Sequence, residues 1–364
     1  MDAALANRWG FAASETSHCD ELPTSTTHCA AGTATLLVSS SKASEETARI
    51  QRQRHGLDLM ADHRAWGREK ATPERPLSFD EDIFGTTGWC EFNYPVTRGV
   101  RVLGPSRFVK FNDFASLRAV LETSADLPSN VIPTVATEAR MLNVAPRARF
   151  LDTIAHYQHR PTAFVFADKD HPLETYVRLA GIRQLLDTHP RVLLPYVEPL
   201  VASDALAHGA EWVGIGASSA RRFPKRPGDK GGGPVSKGYL PGLFLRDYLE
   251  FRSPEVYAEW FANSASPVCG RCSRALDLFS TSPTDKAAIV RHNIHAMHEF
   301  LTALMEQPAA DRAAWLNGVR VEALDRHLVL AQRGGAIRTG ETLRLLLELD
   351  DPQMRRLSPA GIWS

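Results

Sequence analysis

The most specific chemical spacing in this chain belongs to two cysteines and a downstream histidine. Ser266-Pro267-Val268-Cys269-Gly270-Arg271-Cys272 carries a C-x-x-C pair, and Arg291-His292-Asn293-Ile294 follows in a strongly periodic helical stretch. Cysteines at that spacing both reach one tetrahedral ion, and a helical histidine supplies a third ligand. Cys269, Cys272 and His292 are therefore the candidate ligands of a zinc ion. His295 and His298, further along the same helix, are both open as the fourth, and Cys19, Cys29 or Cys90 would need a tertiary contact. The alternative is two free cysteines in a turn and a surface histidine. No thioredoxin-like strand precedes the pair, which disfavours a redox motif.

A second group of candidates lies where short apolar runs end. Asp62, in Ala61-Asp62-His63-Arg64-Ala65-Trp66-Gly67, directly follows such a run. Ligands of α/β folds sit at the carboxyl ends of strands, so Asp62 is placed to accept hydrogen bonds from a substrate. Trp66 offers a face for a flat ring, or else packs internally. Asp168 and Asp170 end another run, where they recognise an N–H edge, act as a base, or cap the next helix. Gly214 and Gly216 close a further run; they permit close approach of a ligand or form a tight turn. Between Arg221 and Lys237 stand six basic residues (Arg221, Arg222, Lys225, Arg226, Lys230 and Lys237) and one acid, Asp229, among several glycines. That local excess is a phosphate or nucleic-acid footprint, or a solvated loop. Asp247 follows a late strand expected over 239–245 and is either a nucleophile or a surface partner of Arg246 or Arg252.

The elements that must position these groups read as α/β. Apolar runs at 56–61, 131–136, 162–167, 191–197 and 212–216 are continuous rather than alternating, as strands buried on both faces require. Helical periodicity fills 146–158 and 173–186, and Ser203-Asp204 reads as the cap of a short helix ending at Gly209. Strands recurring at such intervals point to a (β/α)8 TIM-type barrel over 51–284, with an open doubly wound sheet as the alternative. Residues 1–50, rich in Ser, Thr and Ala, read as a flexible N-terminal arm with one short strand near 34–39. Residues 285–364 read as a C-terminal helical cap, with helices over 285–305, 310–319, 321–331 and 339–349.

Composition closes other doors. The 364 residues carry 42 basic and 42 acidic side chains, so any nucleic-acid footprint is local rather than global. No apolar run approaches a membrane span, and Met1 to Arg8 lacks the pattern of a secretory signal. Five cysteines do not make a disulfide scaffold, so the expected setting is cytoplasmic and reducing. Oligomeric state, homo- or hetero-, stays open.

Taken in order, these motifs resemble the tRNA-guanine transglycosylase superfamily, including relatives that modify guanine in DNA. The resemblance is distant and covers roughly residues 55 to 305. Leu59 to Trp66 is similar to the family's strand ending in Asp-Ser-Gly-Gly-aromatic, with His63-Arg64-Ala65 in place of Ser-Gly-Gly. Asp168 or Asp170 matches the second base-recognising aspartate, and Trp212 to Gly216 the strand lining the base pocket. Cys269, Cys272 and His292-Asn293 match the last three zinc ligands, with Pro267 where the first cysteine would stand. The resemblance implies a barrel with structural zinc that exchanges guanine for a 7-deazaguanine through a glycosyl–enzyme intermediate. Asp247, by position alone, would be the nucleophile. Asp62, Asp168 and the backbone near Gly216 would hold the base, and the 221–237 loop would grip phosphates of tRNA or DNA. The rival expectations are a barrel enzyme acting on a phosphorylated small molecule and a nucleic-acid-binding barrel without a nucleophile.

Overall fold

In the computed structural model, the residues described are 9–13, 35–39, 58–62, 64–78, 101–157, 160–216, 219–229, 242–280, 283–333 and 337–354. Short apolar runs form the strands of a parallel sheet. These are β1 (Trp9–Ala13), β2 (Thr35–Ser39), β3 (Asp58–Asp62), β4 (Arg101–Leu103), β5 (Phe108–Val109), β6 (Val131–Ile132), β7 (Thr134–Glu138), β8 (Thr162–Ala167), β9 (Val192–Val197) and β10 (Trp212–Gly216). Their order is β5-β7-β8-β9-β10-β1-β2-β3-β4-β6, and every pairing is parallel.

The strands at the two ends of that order, β5 next to β7 and β6 next to β4, come from one stretch of chain, 101–138. Pro133 alone separates β6 from β7, because a proline has no N–H to give to a ladder. β4 pairs with β6 while β5 pairs with β7. One face of the sheet converges on a single apolar cluster drawn from all ten strands: Ala12, Leu37, Met60, Leu103, Phe108, Ile132, Ala136, Val165, Leu193 and Trp212 among them. The sheet is strongly curled. Asp62 of β3 and Tyr196 of β9 are hydrogen bonded, although four strand steps would put them about 19 Å apart in a flat sheet.

Helices cover the other face. These are α1 (Phe114–Ala125), α2 (Val144–Ala155), α3 (Tyr176–Thr188) and α4 (Pro199–Ala207), followed by the four-residue α5 (Ser219–Arg222). Phe150, Leu179, Ile182 and Leu185 of α2 and α3 pack on Phe164, Phe166 and Val192, as the helical spacing of the apolar positions predicts. Beyond the sheet come an antiparallel ribbon, β11 (Leu243–Leu245) with β12 (Glu250–Arg252), then α6 (Pro254–Trp260). The hairpin β13 (Val268–Cys269) and β14 (Arg274–Ala275) follows, then α7 (Pro283–Met305), α8 (Arg312–Gln332) and α9 (Glu341–Asp350). None of the described helices is long and apolar enough to cross a membrane.

Several expectations are corrected. The first 50 residues are not merely an arm, since β1 sits inside the parallel sheet between β10 and β2. Ser203 and Asp204 do not cap a helix. They lie buried within α4, which starts earlier because Pro199 suits its first turn. The two helices expected over 310–331 are one, α8. Neither Asp168 nor Asp170 caps α3, since the Thr175 hydroxyl accepts from Arg178 N instead. Residues 56–57 and 239–241, at the starts of two expected strands, lie outside the described residues.

Asp204 anchors the helical layer. Its carboxylate accepts from Arg183 at 2.7 and 3.0 Å and from Arg320 at 2.8 Å, and both arginines also reach Asp350. This buried cluster joins α3, α4, α8 and α9. Burial alone would push the Asp204 carboxyl up, but Arg320 and Arg183 hold it at about 2.

Candidate active site and metal centre

Alternation along the strands decides which side chains reach the inner face at the carboxyl end of the sheet. Met60 lies inward and Leu59 and Ala61 outward, so Asp62 turns inward. By the same rule Ala136 carries Glu138 inward, and Trp212 carries Gly214 and Gly216.

Asp62 is 2% exposed and bonded at both oxygens. Its Oδ1 accepts from Arg64 N at 2.7 Å, and its Oδ2 accepts from Tyr196 Oη at 2.5 Å and Trp66 Nε1 at 3.2 Å. Burial raises its pKa, and the three donors and the Arg64 charge only partly offset that. Glu138 has the opposite balance. Burial would raise it, but Arg140, the amide of Phe111 and Arg226 bind its carboxylate and lower the pKa overall. Nothing in the sequence-level motifs pointed to Glu138 or Tyr196; strand alternation from Ala136 was the signal for Glu138.

The remaining expected site residues fall in several places. Trp66 is buried and tilted against Tyr196, with Arg64 over its ring at 4.7 Å, so its indole serves Asp62 rather than an open stacking surface. Asp168 is ion-paired with Arg178 at 2.9 Å and Arg226 at 3.8 Å. Asp170 is exposed and pairs with Lys225 at 3.0 Å. The two glycines make room for the chain itself. A Cβ on Gly214 would meet the Trp212 ring at 2.6 Å, and one on Gly216 would meet the backbone of Arg221 and Arg222 at 2.3 Å.

The basic loop is more self-contained than its composition implies. Arg221 and Arg222 are buried, with Arg222 over the Phe251 ring at 4.2 Å. Lys225 reaches Asp170 and the carbonyl of Lys169, and Arg226 binds Asp229, Glu138 and Asp168. Lys230 and Lys237 lie outside the described residues. Asp247 follows a strand, but that strand is β11 of the antiparallel ribbon, not part of the parallel sheet. Its carboxylate is exposed beside Arg246, next to the cysteines.

Cys269, Cys272 and His292 do come together, and His295 joins them. One ligand atom from each lies within 4.8 Å of all the others. Cys269 Sγ is 3.1 Å and Cys272 Sγ 3.4 Å from His295 Nε2, and Cys272 Sγ is 3.6 Å from His292 Nδ1. A tetrahedral ion with bonds of about 2.0–2.3 Å needs ligand atoms roughly 3.3–3.8 Å apart; these three separations lie near that range. Cys269 is held as the thiolate, first by Cys272 and then by the imidazoles, and that thiolate pushes the Cys272 thiol up. His292 is buried, not a surface residue. Its Nε2 donates to Phe244 O at 2.9 Å, which leaves Nδ1 facing the sulfurs. His298 is excluded from the group and packs on Trp9, its pKa lowered to about 4 by burial.

The metal group is tied to a cleft of about 630 Å³. Asn293, next to His292, accepts from Phe244 N at 2.7 Å and donates to Gly242 O at 2.8 Å, so α7 grips β11 and the residue before it. Phe244 and Gly242 line the cleft, opposite Glu198 and Arg222, with Glu174, Glu250 and Arg252 around them. Burial pushes Glu198 up to about 7, helped by the charges of Glu174 and Glu250.

Comparison with known proteins finds no family model and no curated protein that matches the chain.

Proposed function

We propose that this chain is a zinc-bearing (β/α)8-barrel enzyme that exchanges a purine or deazapurine base on a nucleic acid, tRNA or DNA. The barrel reading treats β4 with β5, and β6 with β7, as two interrupted strands, so that eight strands close into a ring. The joint inner cluster and the bond between β3 and β9 support it. Two cysteine sulfurs and two imidazoles brought together favour zinc over harder cations. Four protein ligands leave no open position, so the ion would hold the hairpin β13–β14 on α7 rather than react.

The observation that carries the functional reading is a pair of inward carboxylates on one rim with opposed environments. Asp62 has its pKa raised and Glu138 has it lowered, the separation expected where one group exchanges a proton and the other stays ionised. In this reading Asp62 meets the N–H edge of the base, while Glu138 with Arg226 and Asp168 holds the following loop. Asp247 lies on the antiparallel ribbon, away from the sheet rim that carries Asp62 and Glu138.

The test begins with metal content. We expect about one zinc per chain, lost in Cys269→Ser and His292→Ala. Exchange of labelled guanine into tRNA and into duplex DNA should then be seen for one of them, with Asp62→Asn inactive and Asp247→Asn unaffected. Exchange on neither substrate overturns the reading.

The cleft favours a second reading. Arg222, Arg252 and Arg338 line it beside Glu198, a mixture suited to a phosphorylated small molecule. Phosphate or pyrophosphate protecting the chain from thermal unfolding, without any binding of nucleic acid, would select that reading instead.

A further inference from the structure

β9 breaks the rule that governs its neighbours. Val192 and Leu194 face the outer, helix-covered layer and Leu193 the inner cluster. A period of two would turn Tyr196 outward with Val192 and Leu194. Instead Tyr196 belongs to the inner cluster and Val197 to the outer one. The reversal happens at one residue. Tyr196 has φ = 81°, in the left-handed region that costs a bulky L-residue about 1–3 kcal/mol. Across the ladder, the pairing of β10 with β9 shifts register between Val213 and Ile215. A bulge of this kind re-aims a side chain.

The target of the re-aimed ring is Asp62. The phenol donates to Asp62 Oδ2 at 2.5 Å, shorter than the 3.2 Å bond from Trp66 to the same oxygen. A second left-handed residue, Arg64 (φ = 54°), brings its amide to the other oxygen. The charged groups facing the pair are Arg64, 5.7 Å from the Tyr196 ring, and Arg221 of α5, 6.0 Å from it. A tyrosine needed only as core would face outward in the regular conformation, without strain.

We propose that Tyr196 is a positioning residue for Asp62, its phenol turned inward by the bulge in β9 to hold the carboxylate at the sheet rim. This rests on the reading of Asp62 as the carboxylate that meets the base. The bond favours the ionised carboxylate, so Tyr196 sets both its direction and its proton affinity.

The experiment labels the protein with carboxyl-¹³C aspartate and follows each resonance with pH. Asp62 is assigned as the resonance missing from Asp62→Asn. In Tyr196→Phe, which keeps the ring, Asp62 should titrate about one pH unit higher, tenfold in proton affinity. Trp66→Phe, which removes the longer bond, should shift it less. The base-exchange rate of Tyr196→Phe should fall at neutral pH, with the pH profile displaced in the same direction as the resonance. An unchanged Asp62 titration in Tyr196→Phe, or a larger shift in Trp66→Phe, overturns the proposal. Should the resonance shift as expected while the parent protein exchanges no base on tRNA or DNA, positioning by Tyr196 stands and the base-exchange reading falls.

Discussion

Two aspartates are equally buried in this protein and have opposite characters. Asp62 and Asp204 are each 2% exposed. Asp204 meets Arg183 and Arg320, and it is held ionised at about 2. Asp62 is bonded by a phenol, an indole and the Arg64 amide, with the Arg64 guanidinium acting only through space, and its pKa is raised. Burial makes a carboxylate costly in both places. What differs is whether formal charge or neutral donors answer that cost, and only the second arrangement leaves a group whose proton moves readily.

The largest test of this contrast removes a charge from the structural cluster. Arg320→Ala leaves Asp204 and Asp350 short of a buried partner and should cost about 3–5 kcal/mol in urea unfolding. Asp62→Asn, which leaves no formal charge unpaired, should cost about 1–2 kcal/mol. Equal losses would erase the distinction drawn between the two sites.

The pH dependence of stability should separate them further. Asp204 titrates below its unfolded value, so its contribution is present above about pH 4 and is lost as pH falls toward 2. Asp62 has the opposite sign: its raised pKa means that stability declines as pH rises through the folded value. Glu198 behaves as Asp62 does. With a folded value of about 7 against an ordinary 4.5, the folded chain keeps an extra proton between those limits, and stability falls with rising pH across them. Glu198→Gln should flatten the urea midpoint between pH 4.5 and 7. A slope that persists in this variant would assign it to another group.

The smallest expected effect is at Asp247. Its carboxylate is exposed and, among the described residues, paired only with Arg246, so Asp247→Asn should change stability by less than about 0.5 kcal/mol. A large loss would show that the ribbon carries more than its geometry indicates.

Legibility in the sequence follows how local each signal is. β8, β9 and β10 are readable because both of their faces are buried, which makes each a continuous apolar run. β1 is not, because Trp9–Ala13 is short and lies in polar surroundings; its place is set by β10 and β2 on either side. The choice between His295 and His298 was within reach. At 100° per residue His295 shares a face with His292, whereas His298 turns away. The partners of Arg226 were not legible in the basic loop, since composition counts charges without counting Glu138 of β7 and Asp168 after β8 that meet it.

Tyr196 marks the limit of pattern reading most sharply. Its neighbours in the chain predict an outward side chain, and a single left-handed φ reverses it. By itself, the sequence determined several of the parallel strands and three members of the Cys/His group, because burial on two faces and ligand spacing along a turn and a helix are short-range properties of the chain. Tertiary structure decided which buried carboxylate is held by formal charges and which by neutral donors. Tyr196 reaches Asp62 from 134 residues away, and Arg320 reaches Asp204 from 116. The electrostatics of a buried group depend on partners that only the fold brings within bonding distance.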